Sequence, residues 1–174
     1  MWSIVLIGFM GAGKTTVGRE LAAITDRTFC DLDTEIIKIA GMGITQIFED
    51  CGEFYFRDLE TSALQSVVGR QGLVVATGGG VVERPGNWPL MRATGRIIYL
   101  QASWECLRQR IGCGGGRPLA RQQDGWNQVR SLFLRREPLY QQADFVVDTE
   151  GKKTGDVAAV IAGLCFEQKE NSRG

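Results

Sequence analysis

Residues 8–16 read GFMGAGKTT, and Gly8 through Thr15 meet the spacing G-x-x-x-x-G-K-S/T. The residues directly upstream, Ile4, Val5, Leu6 and Ile7, are all apolar, so a buried strand feeds a phosphate-binding loop. Gly8, Gly11 and Gly13 allow positive φ and bring main-chain N–H groups close enough to wrap a β-phosphate. Ala12 and Thr16 complete the stretch expected to bind nucleotide. Lys14 supplies a point charge between β- and γ-phosphates, and the Thr15 hydroxyl suits the coordination shell of Mg2+. A helix starting at about Lys14 adds the positive end of its dipole. Glycines alone would say little in a chain with 23 of them; the strand and the Lys-Thr pair make the pattern specific.

Composition sets the outer limits. At 174 residues the chain has the length of a single domain with a real core. Lys plus Arg equals Asp plus Glu at 20 each, so no bulk field favours nucleic acid, and no basic-aromatic interleaving suggests RNA or DNA binding. Histidine is absent, which removes His-based acid/base chemistry and His-bearing zinc sites. The five cysteines, Cys30, Cys51, Cys106, Cys113 and Cys165, are odd in number and contain no C-x-x-C, which fits reduced structural thiols in a cytoplasmic protein. The apolar opening lacks a basic n-region and reads as a first core strand, not a signal peptide. No other stretch reaches the ~20 apolar residues needed to cross a bilayer, so no membrane role is expected.

Outward from the loop, helical spacing runs from about Lys14 to Ile24 with Val17, Leu21 and Ile24 on the apolar face. A short strand, 28–31, precedes a helix, 33–40, carrying Ile36, Ile37 and Ile39 and closed by Gly41. A short helical segment ends near Cys51, and a longer helix spans 53–68, with Phe56, Leu59, Ala63, Leu64 and Val67 facing in. Buried strands follow at 73–76 and 96–100, with a short helix near 88–93 between them. Ser103 caps a helix at 104–111, a long helix covers about 126–140, and a strand at 145–147 leads to a last helix at about 156–166, with Val157, Val160, Ile161 and Leu164 inward. Gly112 to Gly116 is nearly pure glycine, so about 112–125 reads as a mobile lid, and 169–174 as a frayed tail. Alternating strands and helices give one three-layer α/β domain around a five-stranded parallel sheet, spanning 1–174 with no second domain.

Polar residues cluster where strands end. Asp31 and Asp33 are spaced to share one side of an extended backbone; Asp31 suits an outer-sphere contact to magnesium, and Asp33 suits hydrogen bonds from a polyhydroxylated substrate and its attacking hydroxyl. Both could also serve as caps of the next helix. Arg57 has Glu60 at i+3, and a guanidinium held by a carboxylate suits bidentate capture of a substrate carboxylate. Gly78, Gly79 and Gly80 follow a central strand and permit a ligand to lie against main-chain N–H groups. Arg117 could swing over bound nucleotide and neutralise the transferring phosphoryl group; Arg110 is an adenine-side candidate. Arg135 and Arg136 are adjacent in a helix, about 100° apart, and are not expected to share one ligand. Each of the four tryptophans reads as a core or edge aromatic.

No N-K-x-D tetrad marks a guanine-nucleotide switch. With the loop, the D-x-D at Asp31 and Asp33, F-R-x-x-E at Phe56, Arg57 and Glu60, the triple glycine, R-P-L at 117–119 and R-x-P-L-Y at 136–140, the chain resembles the shikimate kinases, small nucleoside-monophosphate-kinase-like enzymes. The resemblance covers Ile4 to about Asp148 and implies transfer of the γ-phosphate of ATP to the 3-hydroxyl of shikimate; Mg2+ is expected from Thr15 and Asp31, and a monomer is expected. It implies that Asp33, Arg57, Gly79 and Arg136 hold shikimate, that Glu60 holds Arg57, and that Arg117 closes on ATP from a lid. It also puts Thr77 and Gly78 where other phosphate-loop proteins carry a second metal-site acid. Two rivals remain open from the residues: a related kinase acting on gluconate or another hydroxy acid, and a nucleotide-binding regulatory module without turnover.

Overall fold

The structure, a computed structural model, describes residues 2–113 and 125–171. Five strands, β1 (Ser3–Ile7), β2 (Thr28–Asp31), β3 (Leu73–Ala76), β4 (Gly95–Gln101) and β5 (Phe145–Asp148), form a sheet in the order β2, β3, β1, β4, β5. Every pairing is parallel, with Ile4 opposite Val74 on one side and Arg96 on the other. A parallel sheet must be covered on both faces, which is why β3, and β1 after Ser3, read as unbroken apolar runs and both strands are buried at every residue.

Eight helices supply the cover among the described residues: α1 (Lys14–Ile24), α2 (Leu32–Ala40), α3 (Ile44–Asp50), α4 (Gly52–Val67), α5 (Asn87–Thr94), α6 (Trp104–Cys113), α7 (Gly125–Tyr140) and α8 (Thr154–Asn171). Helices α1 and α8 pack together, α1 over β3 and α8 over β5, while α5 lies on β1 and β4 with α4 behind it. A single 3-10 turn, Val81–Glu83, joins the triple glycine to α5. The Ser103 hydroxyl accepts the Cys106 N–H at 3.3 Å, the expected cap of α6. Phe56, Leu59, Ala63, Leu64 and Val67 are all buried, as the helical spacing of α4 requires.

Several expectations need correction. Ile24 and Val160, expected on apolar faces, are 50 and 49% exposed, because each helix buries a narrower stripe than its apolar content suggests. Ala22 and Ala158, small enough for close helix packing, are buried in α1 and α8. Helix α8 runs through Asn171, and the rest of the expected tail lies outside the described residues. The proposed lid falls largely outside the described residues, and its two ends, Gly112 in α6 and Gly125 in α7, are helical. Cys30, Cys51 and Cys106 are free thiols, and burial pushes the Cys30 thiol above its ordinary range. No helix among the described residues is long and apolar enough to cross a membrane.

Candidate active site

Parallel strands deliver their C-terminal ends to one edge of the sheet, and there the loop after β1 meets the ends of β2 and β3. Gly8, Gly11 and Gly13 have φ of 147°, 81° and 90°, conformations that L side chains rarely adopt. At Gly8 a second reason applies: a Cβ would come within 2.8 Å of the Leu100 carbonyl oxygen on β4. Helix α1 begins with no side-chain cap and no acidic residue in its first turn, so its N–H groups and dipole stay available to an anion. The Lys14 ammonium donates to the carbonyls of Gly8 and Phe9, at 2.7 and 3.0 Å, and so lies folded along the loop it serves.

Thr15 and Asp31 come together as expected, with the Thr15 hydroxyl donating to Asp31 Oδ2 at 3.1 Å. Asp31 Oδ1 accepts the Asp33 N–H at 3.1 Å. This corrects the geometry expected for the D-x-D: the chain passes from β2 into α2 without a loop, so Asp31 is the N-cap and Asp33 lies in the first helical turn rather than on an extended backbone. Hard oxygen donors on Thr15 and Asp31 fit Mg2+, which is held by few protein ligands together with phosphates and water. Consistent with that sparse set, no cluster of three or more metal-ligating side chains occurs among the described residues.

Across the edge, the acidic and basic side chains form one cluster. Glu60 is fully buried and accepts from Arg57 Nη1 at 3.0 Å, while Arg57 Nη2 meets Glu53 at 3.0 Å. Burial pushes the Glu60 carboxyl above its usual range, against the opposing charge and hydrogen bond of Arg57. Arg136, 5% exposed, donates from Nη2 to Glu83 Oε2 at 2.6 Å, and Arg135 reaches the other oxygen of the same carboxylate at 2.9 Å. The two neighbours therefore share a ligand, contrary to the angular argument from sequence, because long guanidinium side chains converge where their Cα–Cβ bonds diverge. Glu83 lies also 3.7 Å from Arg57 Nη2. Burial opposes its charge, yet hydrogen bonds and charges from Arg136, then Arg135 and Arg57, hold its carboxyl below the usual range.

The triple glycine sits inside this cluster. A Cβ on Gly78 would fall 2.6 Å from Glu60 Oε1, and a Cβ on Gly80 would collide with the Arg57 guanidinium. Gly79 faces both regions: its Cβ position is 3.5 Å from Gly8 O, 3.6 Å from Met10 N and 3.7 Å from Arg136 Nη1. The Tyr140 hydroxyl donates to the Gly79 carbonyl at 2.5 Å and ties α7 to this turn. Thr77 uses its hydroxyl to donate to the Leu6 carbonyl at 2.9 Å, locking the end of β3 to β1. Among the described residues, two buried side-chain atoms have no hydrogen-bond partner, Glu60 Oε1 and Arg136 Nε. They are an acceptor and a donor, the complement of a molecule carrying hydroxyls and a carboxylate.

On the other flank of the loop, a cavity of about 210 Å³ is lined by Gly11, Gly13, Thr16, Arg110, Thr149 and Lys152, among others. Arg110 is on this wall, but its guanidinium is committed to Thr149, at 3.0 Å to the hydroxyl and 2.9 Å to the carbonyl. A larger cavity, about 560 Å³, lies at the opposite end of the sheet beside Ser3 and Gly95 and takes no part in this site. Arg117 lies outside the described residues. Glu83, Tyr140, Thr149 and Lys152 were not found from sequence as site residues; Glu83 has no local signature, its arginine partners being 52 and 53 residues away.

Residues 10–164 match the family model described as shikimate kinase. A shikimate kinase of Geobacter sulfurreducens is 44% identical over 167 residues, 96% of this chain and 92% of that protein. The solved shikimate kinase of Acinetobacter baumannii in complex with shikimate superposes with a TM-score of 0.90 at 38% identity, covering 97% of this chain and 95% of the other. A gluconokinase of Sinorhizobium meliloti shares the fold, with a TM-score of 0.58 at 17% identity over 96% of this chain and 97% of the other.

Proposed function

The chain belongs to the shikimate kinase family, and from that membership we propose the following reading of its cleft. The protein is an ATP-dependent kinase that phosphorylates shikimate on its 3-hydroxyl, giving shikimate 3-phosphate and ADP. The observation that carries this reading for the residues themselves is the position of Gly79, with the phosphate loop and Arg136 both within 3.7 Å of its Cβ direction. An acid held at Arg136 is thereby adjacent to a phosphate held at the loop, which is the proximity that direct transfer requires.

ATP lies with its phosphates on the amides of Gly11, Ala12 and Gly13, the N-terminus of α1 and Thr16, and its base lies toward the cavity walled by Arg110. Lys14 exchanges its loop carbonyls for phosphate oxygens. Thr15 and Asp31 would hold Mg2+, directly and through water, and the ion would supply neutralisation of charge on the β- and γ-oxygens. Shikimate sits with its carboxylate toward Arg57 and Arg136, its ring against Gly78, Gly79 and Gly80, and its hydroxyls toward Asp33. Glu60 fixes the angle of Arg57 from below, a role supported by its complete burial. Asp33 orients the attacking hydroxyl in line with the γ-phosphate, and Lys14 stabilises the charge that spreads over the transferring group, assisted by Arg117 in the role implied by its motif. Transfer proceeds in one ternary complex by a monomer, without a covalent intermediate.

The test is ADP release in a coupled assay with shikimate, with gluconate and with no acceptor. Rapid release with shikimate alone is expected. Release with gluconate at the same efficiency would favour the hydroxy-acid kinase reading, and no release above background with either acceptor would favour a regulatory module.

A further inference from the structure

One carboxylate oxygen, Glu83 Oε2, lies between the two arginines assigned to substrate, 2.6 Å from Arg136 Nη2 and 3.7 Å from Arg57 Nη2. Glu83 follows the triple glycine by one 3-10 turn, so the segment that floors the substrate site also places this carboxylate. Arg57 is already satisfied by Glu60 and Glu53 at 3.0 Å each, whereas the ion pair of Arg136 is with Glu83. The resting cluster is balanced, with Arg57, Arg135 and Arg136 against Glu53, Glu60 and Glu83. An arriving carboxylate gains the full charge of Arg136 only when Glu83 yields it.

Glu83 has somewhere to go. Its side chain is 21% exposed, and its second oxygen is bound by Arg135, itself 68% exposed, at 2.9 Å. We propose that Glu83 is an internal carboxylate that competes with the substrate's carboxylate for Arg136, and that Arg135 is the outer partner that receives it when substrate binds. The inference rests on the assignment of Arg57 and Arg136 as the carboxylate clamp. Glu83 is a positioning residue in this scheme: it touches the clamp and sets its affinity, and it takes no part in the transfer itself.

The experiment is calorimetric titration of shikimate, and separately of ATP, into the full chain and its variants. Glu83→Gln keeps the shape and removes the charge, and Glu83→Asp withdraws the carboxylate by one methylene. Each should tighten shikimate, by about fivefold for Glu83→Gln, with less than about a twofold change for ATP. Arg135→Ala should weaken shikimate in the parent protein, because Glu83 loses its alternative partner, and should have no such effect combined with Glu83→Gln. That dependence separates competition from a merely structural loss. Weaker or unchanged shikimate binding in both Glu83 variants would overturn the proposal and make Glu83 a prop for Arg136. If Arg136→Ala leaves shikimate affinity unchanged, the clamp assignment fails first, and the proposal with it.

Discussion

The phosphate loop and the arginine–carboxylate cluster are neighbours across Gly79, yet they are built in opposite ways. The loop is one contiguous stretch whose backbone does the work, with positive φ at three glycines and an uncapped helix behind it. The cluster is assembled from α4, the 3-10 turn and α7, and its side chains hold one another through ion pairs. A backbone site has few side chains that can fail, but each is decisive. A side-chain network spreads its function over several groups, so single losses should be graded and should mix stability with binding.

The largest effect should come from the loop. Lys14→Met should lower turnover by about a thousandfold or more, since in the proposed reaction it removes a charge used most strongly in the transition state. The fold should survive, because the lost hydrogen bonds to Gly8 and Phe9 are partly exposed and together cost at most about 2 kcal/mol. Steady-state kinetics beside a thermal melt measure both, and near-parental turnover would erase the contrast between the regions.

Arg57→Ala should divide its effect as a network predicts. Shikimate should bind about thirtyfold more weakly, with ATP little changed, as read by titration of each. Folding should also suffer by about 3 kcal/mol at neutral pH, because Glu60, fully buried, is left without its cation. The sign of the pH dependence follows. With its folded pKa raised above the ordinary 4.5, Glu60 favours the native state as long as both states are protonated, and that stability is lost as pH rises through the folded value. Removing Arg57 raises the folded value further, so the variant's deficit should shrink in urea titrations as pH falls through the folded values, which lie above the ordinary 4.5. A deficit that grows on acidification would contradict a buried, charge-paired Glu60. Combining Arg57→Ala with Glu60→Gln should restore stability at neutral pH without restoring shikimate affinity.

Gly80→Ala should have a smaller effect. The new methyl group collides with the end of the Arg57 side chain, which can shift, so the expected result is a weakening of shikimate binding by about fivefold with near-parental stability. A stability loss as large as that of Arg57→Ala would mean that the turn, rather than the arginine, is the rigid partner.

The same contrast decides what sequence could reveal. Strand β3 and helix α1 were legible to the residue, because burial on both faces and the loop motif are written in adjacent positions, and the edge strand β2 was legible as a short run ending in acid. The arginines and glycines of the cluster were legible only through their motifs, and the hub that joins them was not. Glu83 reads locally as a polar residue two positions before a proline, and only the packing of α7 on the 3-10 turn brings Arg135 and Arg136 to it. Asp33 was found as a residue and as the start of a helix, but the shared side expected for Asp31 and Asp33 on an extended backbone does not hold, because α2 already begins at Leu32 with Asp31 as its cap. The exposure of Ile24 and Val160 was missed because helical spacing fixes which residues share a side but not how wide a stripe the neighbours will cover.

Tyr140 sits where the two regions meet, and its hydroxyl offers the finest test of their separation. The ring is fully buried and stacks on Tyr99 with centroids 5.1 Å apart, so Tyr140→Phe should keep the position of α7. What is lost is the hydrogen bond to the Gly79 carbonyl, leaving a partly buried acceptor without this donor, at a cost of about 1 kcal/mol. Because Gly79 adjoins both the loop and Arg136, the slackened turn should weaken ATP and shikimate alike, by about twofold each. An effect confined to shikimate would assign Tyr140 to the cluster alone and make Gly79 a wall of one region. A loss of turnover approaching that of Lys14→Met would place its hydroxyl in the chemistry, which its burial and its bond to a carbonyl argue against.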